Sequence, residues 1–474
     1  MVRKVLLIGA GSYGKFIINE FKENNYYEIV GIIDDSTQLE NTYIDGIKVL
    51  GGINNIKSIL NNISVDLVLV AISNLSDDKK FDIIQVCKGK NVAVKIMPTV
   101  DIILKNTAKM YGKKDIDLSK MLNRPIFDKK SENIEEIVNN KTILVSGGGG
   151  SIGSEICRQI MEMKVKKLII LDMYENTTYE LKNELNNKFK DKINEIEVII
   201  MSVLDRSRLK RIFNLYKPDI VFHAAAYKHV PLMEKSPAEA IKNNIFGTLN
   251  VASLSNEFNV EKFILISTDK AVNPTNIMGA SKRFCEMIIT AFNNESNTNF
   301  SAVRFGNVLG SNGSVIPIFK KQIESGGPVT LTHKDITRYF MLIPEAVNLV
   351  LHATAMANGG EVFILDMGEP IKIKDLAEKM IQEYGLKPHI DIYIEEIGLR
   401  PGEKLYEELI LNKDKVRYTP HNKIFIESCE YVDMSYINKC IESLSKICKE
   451  YKYDYDLKQE LAYIIKTYKW SDCR

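Results

Sequence analysis

Three polar residues, Thr268, Asp269 and Lys270, stand where an apolar run meets a helical pattern. The run at 263–266 predicts a short buried strand, and the spacing from Asn276 onward predicts an amphipathic helix, so the three residues fall at the carboxyl end of a strand. A hydroxyl, a carboxylate and an amine in one turn can move protons to and from a bound ligand. The alternative is a solvated ion pair in a surface turn.

The predicted helix carries a lysine within its apolar face. Met278, Lys282, Cys285 and Ile289 follow the spacing i, i+4, i+7, i+11 and therefore share one side of the helix. Lys282 is expected either to face a site at the strand end or to extend past the apolar surface to water.

A glycine-rich loop separates another predicted strand, at 142–145, from a helical pattern that begins at 154. Glycines there allow a tight turn, close approach of the backbone to a pyrophosphate and close packing of helix on strand, and the helix N-terminus offers free N–H groups. A simple tight turn is the alternative. The predicted cofactor-binding residues of the loop are Gly147, Gly150, Ser151, Ile152 and Gly153.

Two further strand ends complete this predicted dinucleotide site. The strand at 167–171 ends at Asp172, nineteen residues after Gly153, and a carboxylate there can accept hydrogen bonds from an adenosine ribose. An acid at this position favours NAD over NADP. Ala224 and Ala225, at the end of the strand at 220–224, are also predicted to bind the cofactor.

The same pattern occurs once more, near the N-terminus. Strands predicted at 4–8 and 29–33 flank a glycine loop and end at an acid, and further strands are expected at 66–71 and 92–97. This module is either a second nucleotide site or a retained fold that packs on the catalytic domain or another subunit, and the second alternative is slightly favoured. Its candidate residues are Gly9, Gly11, Gly14 and Asp34.

The elements therefore predict an α/β chain with two Rossmann-like, doubly wound parallel-sheet modules. The first domain is predicted at 1–114 and a larger second domain at 141–474, with a smaller C-terminal substrate-binding subdomain. A polar connector at 115–140 carries one apolar patch, at 121–127, which predicts a docked rather than a free segment. Later strands of the second module are predicted at 198–201 and 300–304.

Composition excludes several classes of protein. The 474 residues carry a net charge of only +2, which argues against nucleic acid or a membrane surface as a partner. No apolar run approaches the roughly 18 residues of a membrane span, so a cytoplasmic location is expected. The seven cysteines are odd in number and include no C-x-x-C pair, so neither disulfides nor a metal site is predicted.

Four segments together resemble a known family: 223–234, 267–282, 304–315 and 398–404. They are similar to the nucleotide-sugar 4,6-dehydratases of the extended short-chain dehydrogenase/reductase superfamily. The likeness covers nearly the whole chain and extends to the large, configuration-retaining UDP-N-acetylglucosamine 4,6-dehydratases of polysaccharide biosynthesis. It implies tightly bound NAD, a UDP-sugar substrate and a homo-oligomer. Many such relatives begin with transmembrane helices; either this chain is a soluble natural form or such a segment was removed.

The resemblance also assigns roles at the strand end. It implies that Asp269 is the acid that protonates the departing 6-hydroxyl and that Lys270 is the base at carbon 5. Lys282 is implied to bind the nicotinamide ribose, and Met278 replaces the superfamily's tyrosine, which leaves the 4-hydroxyl proton to Thr268 and its two neighbours. The positive charges of Lys282 and the nicotinamide are expected to lower the pKa of Lys270. A direct Asp269–Lys270 pair would oppose both assigned roles.

Substrate contacts are implied at three positions. Asn307 and Arg400 match family contacts to the UDP moiety, and a guanidinium suits a diphosphate. Lys228 matches a residue near the sugar or cofactor, although it could equally lie on the surface. Relatives usually contact adenine through an aspartate at the position of Ser202, and His223 is expected to complete a strand end rather than bind metal.

Two other functions remain open. A UDP-sugar 4-epimerase would need oxidation and reduction at carbon 4 but no elimination acid. A noncatalytic nucleotide-sensing scaffold would bind ligand without turnover.

Overall fold

The computed structural model describes residues 2–22, 26–72, 75–90, 92–97, 117–122, 124–125, 127, 132–411, 416–428, 430–450 and 454–470. The chain divides into two compact units. The first comprises Met1–Asp117, Pro317–Leu331 and Asp375–Ile397, and the second comprises Leu118–Ile316, Thr332–Lys374 and Gly398–Arg474. The predicted second domain, 141–474, includes Pro317–Leu331 and Asp375–Ile397, whereas the structure groups these two segments with the first unit.

The first unit contains a six-stranded sheet with the order β3-β4-β2-β1-β5-β6, parallel except for the pair β3–β4. Its strands are β1 (Arg3–Ile8), β2 (Tyr27–Ile33), β3 (Tyr43–Ile44), β4 (Ile47–Gly51), β5 (Leu67–Val70) and β6 (Ala93–Ile96). Its principal helices are Ser12–Lys22, Ile56–Asn62 and Asp77–Lys88. Leu6 and Leu7, neighbours on β1, are buried on opposite faces of the sheet, as strand alternation requires.

The two later segments of the first unit carry a pair of short parallel strands, Val329–Leu331 and Ile394–Glu396. Polar contacts join them to the Rossmann-like part of the same unit: Lys88 Nζ lies 3.2 Å from the Tyr393 hydroxyl, and Lys80 Nζ lies 3.8 Å from Asp391 Oδ1. Contacts between residues about 300 positions apart leave no periodic signal, which is why the sequence did not predict this grouping.

The second unit contains a nine-stranded sheet with the order β14-β15-β13-β12-β11-β10-β7-β8-β9, parallel from β13 to β9. β15 pairs antiparallel with both β13 and β14. The strands are β7 (Thr142–Ser146), β8 (Lys167–Asp172), β9 (Ile196–Ile200), β10 (Ile220–His223), β11 (Lys262–Thr268), β12 (Asn299–Phe305), β13 (Glu361–Leu365), β14 (Val416–Tyr418) and β15 (Ile424–Ser428).

Helices cover both faces of this sheet. The described α-helices of the second unit are Glu132–Val138, Ser151–Met161, Glu175–Lys188, Arg206–Tyr216, Val230–Glu234, Pro237–Ala240, Gly247–Glu257, Ile277–Glu295, Ile343–Met356, Met434–Glu450 and Asp454–Ile464, and a π-helix, Ile241–Phe246, joins two of them. Two more α-helices, Val315–Glu324 and Ile373–Glu383, cross the unit boundary. Every residue of β7 is buried, and Leu144 belongs to one core while Ile143 and Val145 belong to the other. The chain order reverses between β7 and β10, so the crevice at their carboxyl ends is where an open α/β sheet binds ligand.

The doubly wound α/β class predicted from the sequence is confirmed, and the predicted strands lie within two residues of the observed ones. The described residues of the predicted connector from Leu118 onward belong to the second unit and contact the rest of it: the Arg124 guanidinium reaches both carboxylate oxygens of Glu345 at 2.6 and 3.1 Å. Positions 123 and 126 of the apolar patch lie outside the described residues. Within the described ranges, no helix is long and apolar enough to cross a bilayer. The cytoplasmic location and the homo-oligomer stay predictions.

Candidate active site

The loop after β7 requires glycine because backbone segments approach each other closely there. Gly147 has φ +74°, and a Cβ on it would lie 2.5 Å from Ala225 N. A Cβ on Gly153 would lie 2.1 Å from Gly147 O. Both distances are too short for any side chain, so the two glycines set the turn and bring the helix Ser151–Met161 against it.

A cavity opens beside this loop, at the carboxyl ends of β7, β8 and β10. The predicted residues that line it are Gly147, Gly150, Asp172, Ala224 and Ala225. The carboxylate of Asp172 accepts hydrogen bonds from Gly149 N at 2.9 Å and Tyr174 N at 2.8 Å, one on each oxygen. Asp172 therefore orders the loop and still has lone pairs for a ribose.

Other predicted loop residues have supporting positions. Gly153 packs against the turn, Ile152 packs against a core, and the Ser151 hydroxyl accepts a hydrogen bond from Asn312 N at 3.2 Å. The sequence analysis did not predict the other lining residues as cofactor contacts: Gly149, Leu171, Met173, Tyr174, Thr177, Met201, Val203, Ala226, Tyr227, Asn243 and Asn312.

These residues fit a dinucleotide. Gly147, Gly149 and Gly150 bring backbone to the cavity where a diphosphate would lie, Asp172 suits a ribose diol, and Met201 and Val203 offer an apolar wall for an adenine ring. Ser202, between them, is engaged locally: its hydroxyl accepts from Leu204 N at 3.2 Å.

His223, at the end of β10, is fully buried between two hydroxyl groups. Its Nδ1 lies 2.7 Å from Ser146 Oγ and its Nε2 lies 2.9 Å from Thr248 Oγ1. Burial, assisted by the charge of Lys282, lowers its pKa to about 3, so the ring is neutral. It joins β7, β10 and the helix Gly247–Glu257, and the described residues form no cluster of metal ligands.

The second group of polar residues follows β11. Thr268 ends the strand, and a 3₁₀ turn at Asp269–Ala271 follows at once. That turn brings consecutive side chains together, which an extended backbone would not do. Asp269 Oδ1 accepts from Thr268 Oγ1 and from Lys270 Nζ, each at 2.9 Å. The Asp269 side chain is fully buried and the Lys270 side chain is 18% exposed.

Lys270 lies among three acceptors. Its Nζ is 2.9 Å from Asp269 Oδ1, 3.1 Å from Asn307 Oδ1 and 3.5 Å from Glu407 Oε1. Burial acts to lower the pKa of Lys270, but the carboxylates of Asp269 and Glu407 outweigh it, and the pKa is raised. The expectation that nearby positive charges lower this pKa is therefore wrong, because the carboxylates dominate the surroundings of the ammonium.

Two carboxylate oxygens of this cluster are buried without a hydrogen-bond partner among the described residues: Asp269 Oδ2 and Glu407 Oε2. Buried polar atoms of this kind are costly and point to a functional role. The sequence analysis missed Glu407, which stands three residues beyond the 398–404 segment. It also missed Arg338, whose Nε lies 3.7 Å from Glu407 Oε1.

The helix Ile277–Glu295 begins at Asn276, whose side chain accepts from Gly279 N at 2.8 Å as an N-cap. On its apolar face, Met278 and Lys282 are 3% and 4% exposed. Burial lowers the pKa of Lys282, with Cys285 and Glu286 acting weakly in the opposite direction. The lysine is therefore buried with the apolar stripe, and it does not extend to solvent.

One of the three predicted substrate residues belongs to this cluster. Asn307 contacts Lys270, whereas Lys228 and Arg400 are exposed. Arg400 lies in the turn at 398–404, where its backbone N–H donates to Glu403 Oε2 at 3.1 Å.

In the first unit, three of the four predicted residues, Gly9, Gly11 and Asp34, line a second cavity. Asp34 accepts from Ala10 N at 2.7 Å and Ser36 N at 2.9 Å, much as Asp172 does in the second unit. Gly14 allows close helix packing, since a Cβ there would lie 2.0 Å from Gly9 O.

The doubly wound sheet, the glycine loop at its switch point and the Thr-Asp-Lys turn after β11 define an extended short-chain dehydrogenase/reductase of the nucleotide-sugar dehydratase type. The chain belongs to the polysaccharide biosynthesis protein family, which matches residues 143–428. A second family, the PglD N-terminal domain, matches residues 4–80.

Individual relatives agree with this assignment. The capsular polysaccharide biosynthesis protein CapD of Staphylococcus aureus is 44% identical over 447 residues, which are 93% of this chain and 74% of that protein. An inverting UDP-N-acetylglucosamine 4,6-dehydratase of Campylobacter jejuni is 38% identical over 281 residues, 58% of this chain and 79% of that protein. The X-ray structure of Pen from Bacillus thuringiensis is 37% identical with a TM-score of 0.57, and covers 62% of this chain and 92% of that one.

Proposed function

We propose that this enzyme uses NAD to convert UDP-N-acetylglucosamine to the 4-keto-6-deoxy sugar nucleotide. The observation that carries the proposal is the buried Asp269–Lys270 pair, which supplies an acid and a base after the strand β11. The glycine loop and Asp172 would hold NAD, which would supply the hydride chemistry between carbon 4 and carbon 6. The 4-hydroxyl proton released in the oxidation and the proton that carbon 5 regains when the hydride returns cancel, so the sugar loses one water in total.

The residues of the turn would carry the protons. Lys270, once neutral, would remove the carbon-5 proton, and Asp269, once protonated, would donate to the departing 6-hydroxyl, which leaves as water. Each proton transfer by a positioned side chain of this kind raises the reaction rate by about 10²- to 10⁴-fold. Both groups are charged at rest, but one proton passing from Lys270 Nζ to Asp269 Oδ1 along their 2.9 Å hydrogen bond would produce both reactive forms together. Bound sugar would favour that neutral pair by excluding water.

Neighbouring residues support these roles. Thr268 donates to Asp269 and can assist removal of the 4-hydroxyl proton, while Met278 offers no titratable group and packs the pocket. Lys282, buried on the same helix, would face the nicotinamide ribose. Asn307, Lys228 and Arg400 are proposed to bind the UDP moiety and the sugar, with Asn307 also holding Lys270.

A second candidate, a UDP-sugar 4-epimerase, is favoured by one observation. The raised pKa of Lys270 and its pairing with Asp269 stabilise the charged forms, and an epimerase needs neither an elimination acid nor a carbon-5 base. The two reactions share the oxidation at carbon 4 and differ only in the steps after it.

The test is to incubate the purified protein with UDP-N-acetylglucosamine in deuterated water and to follow the sugar by proton NMR and mass spectrometry. The dehydratase predicts a new carbon-6 methyl signal, loss of one water, deuterium at carbon 5 and no net NADH. Recovery of UDP-N-acetylgalactosamine would establish the epimerase. Unchanged substrate with bound cofactor would contradict both for this sugar.

A further inference from the structure

Glu407 is a buried carboxylate that the proposed reaction does not use. It is 8% exposed as a residue, and its Oε1 lies 3.5 Å from Lys270 Nζ and 3.7 Å from Arg338 Nε. Its other oxygen, Oε2, is buried and has no hydrogen-bond partner within the part of the chain that the structure describes. A carboxylate kept in this state costs stability, so its position calls for an explanation.

The segment that carries Glu407 is tightly attached around the catalytic turn. Arg338 donates to the backbone oxygens of Lys404 at 2.8 Å and Leu405 at 3.2 Å. Lys404 Nζ donates to the backbone oxygen of Val272, two residues after Lys270, at 2.9 Å. These bonds hold Glu407 against the ammonium.

We propose that Glu407 is a positioning residue that acts through Lys270: its carboxylate stabilises the ammonium in its charged form and so sets how readily Lys270 releases its proton to become a base. The expected effect on kcat/KM rests on the proposed dehydratase function. The effect of Glu407 on the charge of Lys270 does not, since it depends only on the distances between Lys270, Asp269 and Glu407.

The charged groups facing Lys270 decide the direction of the effect. Asp269 and Glu407 both favour the charged ammonium of Lys270, whereas the positive charge of Arg338 opposes it. Arg338 Nη2 also lies 3.5 Å from Glu403 Oε1. Removing the charge of Glu407 leaves Asp269 and Arg338 in place. The pKa of Lys270 must then fall, by about 1 to 3 units for a charge at this distance.

The experiment compares Glu407→Gln with the matched control Glu408→Gln, which alters the adjacent, exposed carboxylate. The first readout is kcat/KM against pH with UDP-N-acetylglucosamine. Because the reactive form keeps one proton on the Asp269–Lys270 pair, loss of the Lys270 proton to solvent gives the descending limb, and that limb should move to lower pH by about 1 to 3 units in Glu407→Gln. Glu408→Gln should match the unmodified protein, and Glu407→Asp, which keeps the negative charge, should show a smaller shift than Glu407→Gln.

The second readout needs no turnover: the rate at which acetic anhydride modifies Lys270, measured by peptide mass spectrometry across the same pH range. A lower pH midpoint of Lys270 labelling in Glu407→Gln supports the proposal, whether or not UDP-N-acetylglucosamine is a substrate. If the midpoint falls but this sugar is not converted, only the proposed function fails. An unchanged labelling midpoint in folded Glu407→Gln would overturn the proposal, whatever the kinetics show. If Glu407→Gln does not fold, Glu407→Cys replaces it, and its Lys270 labelling midpoint is compared before and after carboxymethylation of the cysteine, which restores a negative charge. Equal midpoints for the two forms would overturn the proposal.

Discussion

Arg304 lies on β12 at the centre of a buried ion cluster, and its replacement gives a sharp test of the forces that hold the second unit together. Its side chain is fully buried. The guanidinium donates to both oxygens of Glu286, at 3.2 and 2.9 Å, to Glu427 Oε2 at 2.8 Å and to the backbone oxygen of Leu409 at 3.3 Å. Arg304→Met keeps much of the apolar volume and removes all four bonds.

The magnitude depends on the charges that remain. Glu286 and Glu427 stay buried without their shared cation, and breaking a buried pair in this way costs about 3 to 5 kcal/mol of unfolding free energy. Arg283 provides the matched control, because it contacts the same carboxylate at 3.0 Å but its side chain is 22% exposed. Arg283→Met should cost less than about 1 kcal/mol.

The effect should also depend on pH. Burial alone raises the pKa of Glu286, but Arg304 and Arg283 outweigh it and lower the pKa to about 2 from an ordinary 4.5. A lowered folded-state pKa adds stability above about pH 4.5 that is lost as the pH falls toward 2. The loss of unfolding free energy in Arg304→Met should therefore be largest near neutral pH and should become smaller in acid.

Urea unfolding followed by tryptophan fluorescence measures this directly, because the single tryptophan, Trp470, lies in the second unit against Tyr455. If Arg304→Met and Arg283→Met differ by less than about 1 kcal/mol at pH 7, the reasoning from buried ion pairing is refuted.

Two further predictions concern the active site. Gly153→Ala would place a Cβ 2.1 Å from Gly147 O, so the purified variant should lose bound NAD, measured as cofactor released on denaturation. Asp269→Asn and Lys270→Gln should each lower dehydration by about 10²- to 10⁴-fold with NAD still bound; loss of the cofactor in both would mean that the turn belongs to the cofactor site instead.

Local patterns made much of the architecture predictable from the sequence. The apolar runs of β7 and β11 are short and bounded by turn residues, so the strands and the glycine loop between strand and helix were predictable within a few residues. The same locality placed Thr268, Asp269 and Lys270 at the end of a strand.

Relations across long stretches of chain were not predictable in this way. Glu407 stands 137 positions after Lys270, and the segments at 317–331 and 375–397 join the first unit although they follow its N-terminal part by about 200 residues or more. Nothing in the spacing of either indicates the partner, because these contacts are made by packing and not by a repeating pattern.

Residue types and periodicity thus predicted the class of fold, the glycine loop and the polar turn after β11, since each depends on neighbours along the chain. The protonation of Lys270 depended instead on the three-dimensional fold. Its pKa follows from charges at 2.9 and 3.5 Å, one supplied by the tight turn after β11 and one by a distant segment held against it by Arg338 and Lys404. Electrostatic energy varies with distance in space, and position along the chain does not report that distance.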